Sequence, residues 1–158
     1  MTVHIQKLPS GLKYLKSGAF NSFIGTSGNV NITISELPLS LTKLEPWTFG
    51  NCPNVNITEF GSNTLGQGLT TIKSAALYKA GSGVETVNIY KSVTHLGTIV
   101  GLESYGAFSG YGDNTLKIMN FYKPYEDYRS EQTQEPLSES VIGSIGINTE
   151  ETTTGVIL

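Results

Sequence analysis

The pentapeptide Asn-Val-Asn-Ile-Thr occurs twice in this chain, at 29–33 and 54–58, with looser echoes in TVNIY at 86–90 and TLKIM at 115–119. Internal repetition limits a fold more than any local propensity does, because each repeat must bury its apolar face against its neighbours. Four units can be laid out from Leu8, Leu37, Leu65 and Leu96. Leu12, Leu41 and Leu69 then form one column, and Leu15, Leu44, Ile72 and Leu102 a second. Phe20, Phe49, Leu77 and Phe108 form a third, with steps of 29, 28 and 31 residues, and Ile32, Ile57, Ile89 and Ile118 a fourth. Length varies in Gly/Ser-rich stretches such as IGTSG and KAGSG, where turns accept insertions.

One unit offers five or six apolar side chains, worth roughly 1.5–3 kcal/mol each when fully buried. Ordering some 25 residues costs roughly 1–2 kcal/mol apiece. A lone unit therefore does not fold, and about three or more stacked units are required.

The second unit, LPLSLTKLEPWTFGNCPNVNITEF, resembles the BspA-type leucine-rich repeat, whose pattern is roughly L-P-x-x-(L/V)-x-x-(I/L)-x-x-x-(A/T)-F-x-x-C-x-x-L-x-x-(I/V). The resemblance runs from Leu8 to Phe121; the other units keep the apolar anchors and carry insertions. It implies a mainly β fold: a short leucine-rich-repeat solenoid of about four repeats. It also implies a non-enzymatic binding or adhesion protein, with phage structural proteins among the hosts of such repeats.

Strand side chains alternate between faces. The repeat predicts Val30, Ile32 and Ile34, Val55 and Ile57, Val87 and Ile89, and Leu116 and Ile118 as inward rungs. Two outward columns follow: Asn31, Asn56, Asn88 and Lys117, beside Thr33, Thr58, Tyr90 and Met119. These eight residues are the expected protein- or ligand-binding face. The tyrosines Tyr105, Tyr111, Tyr122, Tyr125 and Tyr128 cluster late; they suit either recognition or closure of the last repeat.

Charge divides the chain. Through residue 125 it is mildly basic; from Glu126 the acids Asp127, Glu131, Glu135, Glu139, Glu150 and Glu151 meet only Arg129. Two regions are expected: a repeat solenoid over 1–125 and an extended acidic arm over 126–158. The arm ends in apolar segments, Val141, Ile142, Ile145 and Ile147, then Val156, Ile157 and Leu158. Such a tail is expected to dock on another chain by strand addition or to fold back as a cap.

No catalytic signature is present. His4 and His95 lack a Gly-x-Ser-x-Gly partner, the glycine-rich KAGSGVET and GYGDN lack the Gly-Lys-Ser/Thr ending of a phosphate loop, and no metal spacing occurs. Glu45 and Glu59 sit at outward positions and read as solvated charges. Cys52 is the single cysteine, so there is no intrachain disulfide, and it reads as a corner packing residue. No cofactor is expected. A net charge of −3 without a basic cluster argues against nucleic acid. No apolar run is long enough for a signal peptide or a membrane span, so the two Asn-Ile-Thr sequons read as strand composition. The expectation is a structural, protein-binding component of a larger assembly, such as a phage virion. The alternative is a cell-surface adhesion module recognising a glycan or receptor, as part of a longer extracellular chain.

Overall fold

The computed structural model describes residues 3–21, 30–64, 66–97, 107–108, 111–112, 116–124, 127–130, 133–136 and 146–149. Among them are ten short strands and no α-helix: β1 (Val3–Ile5), β2 (Val30–Ile32), β3 (Lys43–Leu44), β4 (Glu59–Phe60), β5 (Thr71–Ile72), β6 (Thr86–Ile89), β7 (His95–Leu96), β8 (Ile118–Phe121), β9 (Arg129–Ser130) and β10 (Gly146–Thr149). Every pairing between these strands is parallel. One four-stranded sheet has the order β4-β6-β8-β10, a second β3-β5-β7-β9, and β1 pairs with β2. Successive strands in the chain thus alternate between the two larger sheets, and each return places a segment beside its predecessor.

The sequence explains the alternation. The longer strands β6 and β8 offer apolar residues at every second position, Val87, Ile89, Met119 and Phe121, all fully buried. Leu44, Ile72 and Leu96 do the same for the second sheet, and all of these join one core cluster. The chain turns a tight corner with left-handed backbone at Gly18, between β1 and β2, and at Trp47 and Ala75, between strands of the two larger sheets. These corners stack: Gly18 N–H donates to Pro46 O, Trp47 N–H to Ala75 O, and Phe49 N–H to Ala76 O. The phenylalanine column forms as expected there, with Phe20 and Phe49 stacked at 5.4 Å and Leu77 bonded to Ala107.

Three parts of the expected register are corrected. In the last repeat, Ile118 and Met119 pair with Thr86 and Val87, and Phe121 pairs with Ile89. Met119, expected on the binding face, is therefore fully buried, while Ile118 is only partly so. The strand stands three residues from the expected alignment of Ile118 with Ile89; any odd slip exchanges the faces of a strand, and Phe121 offers a larger apolar surface to the core than Leu116 does. In the second repeat, Glu59 and Phe60 pair with Asn88 and Ile89. Asn56, expected beside Asn88, instead donates its backbone N–H to Ile34 O at 2.9 Å. The second column shifts as well: Ile72 pairs with Leu96, not Leu102. The extra residue of the fourth repeat, expected between Leu102 and Phe108, falls in a stretch of which only Ala107 is described. Leu102, Tyr105 and Tyr125 lie outside the described residues.

Beyond residue 125 the chain continues both sheets. Arg129 pairs with His95 in β9, and Gly146–Thr149 pairs with β8. Ile147 of the expected arm holds the register position beside Met119; Val141, Ile142, Ile145, Val156, Ile157 and Leu158 lie outside the described residues. Tyr128 is fully buried, edge-on to Phe121 at 5.0 Å, with its hydroxyl donating to Ile89 O at 2.9 Å. Lys123 seals this end: its ammonium donates to Val93 O at 2.7 Å and sits 4.4 Å from the Tyr128 ring centroid. Burial lowers its pKa, an effect that Asp127 opposes.

Candidate functional site

The outer face of the β4-β6-β8 sheet carries one connected polar row. Glu59, Asn88 and Asn120 occupy equivalent outward positions on adjacent strands. Asn88 Nδ2 donates to Glu59 Oε1 at 2.7 Å, and Asn120 Nδ2 donates to Asn88 Oδ1 at 2.7 Å. The carboxylate sets the direction. An ionised Glu59 only accepts, so Asn88 must turn its amide NH2 toward it and its carbonyl toward Asn120. On β10 the register places Asn148 beside Asn120.

A second row lies beside the first. The Tyr90 hydroxyl donates to Glu59 Oε2, and this bond raises the tyrosine pKa, with partial burial adding to it. The Tyr90 and Tyr122 rings lie with centroids 4.4 Å apart, tilted by 44°. Thr58 Oγ1 also reaches Glu59 Oε1, at 3.3 Å. The flank of the face holds an exposed pair, Lys117 Nζ to Glu85 Oε1 at 3.0 Å. The result is a half-exposed aromatic pair locked to a carboxylate-and-amide row on a hydrogen-bonded sheet. Such a surface offers flat contact area with few rotamers left to freeze.

Of the eight residues expected on this face, Asn88 and Tyr90 meet at Glu59, Thr58 touches it, and Lys117 stands at the edge. Thr33 and Asn56 are exposed on the earlier turns, Asn31 pairs in register with His4, and Met119 is in the core. Glu59, Asn120 and Tyr122 were not singled out for this face. A signal for them exists in the repeated tripeptides Ile89-Tyr90-Lys91 and Phe121-Tyr122-Lys123, which mark the same register.

His95, Cys52 and Glu45 are occupied elsewhere. Both ring nitrogens of His95 are engaged, Nδ1 with Thr94 Oγ1 and Nε2 with Gln134 Oε1, each at 2.9 Å. Cys52 is buried at the corner with its thiol donating to Phe20 O at 2.9 Å, and burial pushes its pKa up to about 11. A thiol so shielded is a poor nucleophile. Glu45 pairs with Lys73 at 2.8 Å; it follows β3, whereas Glu59 lies on β4 of the other sheet. Among the described residues no cluster of three His, Cys, Asp or Glu could hold a metal, and no helix is long and apolar enough to cross a membrane. No family model, curated protein or solved structure matches the chain.

Proposed function

We propose that this chain is a non-enzymatic, leucine-rich-repeat-type solenoid that binds a protein partner within a larger assembly, such as a virion. The supporting observation is the Glu59–Asn88–Asn120 row with the Tyr90–Tyr122 pair at its side. Each of these side chains is held by a neighbour on the next strand, so the face is organised before any partner arrives. Preorganisation of this kind lowers the ordering cost of association. The engaged His95 and shielded Cys52 support a binding role over a catalytic one.

The test is affinity purification from the source material, using the intact chain and a Tyr90→Ser/Tyr122→Ser variant shown to be folded by cooperative thermal unfolding. Loss of a specific protein from the variant supports the proposal. Equal recovery by both moves the binding surface off this face, and selective retention of the intact chain on a glycan array would favour the adhesion alternative.

A further inference from the structure

We infer that copies of this chain associate head to tail, the β1 edge of one copy pairing in parallel with the β10 edge of another. The two edges are the opposite ends of one face. β1 and β2 lead into the segment that Asn56 joins to Ile34, and the face continues through β4, β6 and β8 to β10. Among the described residues neither β1 nor β10 has a strand on its outer side. The other sheet ends differently. There β9 is covered by the turn at 133–136, where Ser130 N–H donates to Glu135 O and Pro136 bridges Arg129.

The backbone phase of the two edges is complementary. Along this face, core-facing residues bond forward: Ile5 O accepts from Thr33 N–H, Phe60 O from Tyr90 N–H, and Ile89 O from Tyr122 N–H. Outward residues bond backward, as Asn88 N–H does to Thr58 O. In β10, Ile147 and Thr149 hold the register positions of the buried Met119 and Phe121, so their N–H and C=O groups are directed to the open side. In β1 the exposed His4 directs its own pair to the opposite open side. Setting His4 beside Asn148 lets His4 N–H reach Ile147 O and Thr149 N–H reach His4 O, with the core-side and solvent-side positions of both strands in step.

Charge favours the same contact. Before Glu36 the chain has Lys7, Lys13 and Lys16 and no acid, and all three lysines are exposed. From Glu126 onward it has seven acids and one arginine, with Asp127 and Glu135 exposed at that end. Opposed end charges steer association and disfavour like-end pairing. A contact between two different patches related by translation does not close, so it yields open chains of copies.

Sedimentation of the full-length chain tests this. The expected result is a mass that grows with concentration, with association weakened about tenfold or more in about 1 M salt, where screening is nearly complete. His4→Pro removes the one outward N–H of β1, and Lys7→Glu/Lys13→Glu reverses the charge of that end; both are expected to leave the chain monomeric. If His4→Pro alters thermal unfolding, the lysine variant decides, since both its sites are exposed and outside the strands. A monomer at every concentration, a closed dimer of fixed mass, or lysine-variant assembly equal to that of the parent chain would overturn the inference.

Discussion

The buried hydroxyl of Tyr111 donates to the carbonyl of Ile57 at 2.6 Å, joining residues 54 apart in sequence. Ile57 belongs to the second copy of the repeated pentapeptide, which precedes β4 and lies in no strand, and Tyr111 donates to its carbonyl. Its ring also meets Phe60 and Phe108 edge-on. Tyr111→Phe keeps the ring and orphans the carbonyl. A loss of about 1–3 kcal/mol is expected, read as a lower urea midpoint at unchanged slope.

Met119 and Tyr122 lie three residues apart and answer to different tests. Met119 is fully buried, so Met119→Ser is expected to destabilise by about 2–5 kcal/mol, as truncations of buried methionine do. Tyr122 packs on Tyr90 at the surface, and Tyr122→Ser is expected to cost about 1 kcal/mol or less. Thermal unfolding of the two variants distinguishes the register described from one shifted by a residue, in which their order reverses.

Phe49 has no exposed surface and stacks on Phe20 at the corner. Phe49→Ala is expected to lose about 3–5 kcal/mol, and an unchanged melting temperature would contradict the stacked corner column.

Glycine at 97 is dictated by close approach. A Cβ there would stand 2.3 Å from the backbone N of Ser74. Backbone cannot yield as a side-chain tip can, so Gly97→Ala is expected to unfold the chain or lower its melting temperature well below that of an exposed control such as Gly66→Ala. Gly66 has φ +81° but no heavy atom near its added Cβ, which isolates conformational strain from collision.

Cys52 gives the alkaline response a sign. Its folded pKa is raised to about 11 by burial, against about 8.5 for a free cysteine. The folded chain keeps its proton where the unfolded chain has lost it. Stability is therefore full below about pH 8.5, falls as pH rises toward about 11, and levels off beyond as far as this thiol is concerned. Buried Tyr111, whose pKa burial also raises, adds the same sign of change only above about pH 10. Chemical denaturation between about pH 8.5 and 10 should show the decline in the parent chain and not in Cys52→Ala.

The repeated anchors were legible because core positions recur with the spacing of the corner: Phe20, Phe49 and Leu77 align without adjustment. Strand register was less so. NVNIT looks like the unit of pairing, yet its second copy pairs only through Glu59 and Phe60 beyond it, because Asn56 bonds back to Ile34 and Tyr111 takes the Ile57 carbonyl. Those contacts come from distant turns and leave no local trace. In the fourth repeat TLKIM and KIMNF both alternate plausibly, and only the size of Phe121 and its packing on Tyr128 favour the second. The second sheet was hidden for another reason. Its strands are two residues long, too short for any periodicity to show.

Gly18, Trp47 and Ala75 share one left-handed corner although only the first is glycine. The bends are joined from turn to turn by Gly18 N–H to Pro46 O and Trp47 N–H to Ala75 O, so the shape of each is imposed by its neighbour as much as by its own side chain. A duplicated turn can therefore lose its glycine by mutation and keep its bend. Copies arising from one ancestral segment would drift apart in composition while their outlines stayed superimposable, and kinship among them would outlast any resemblance in their letters.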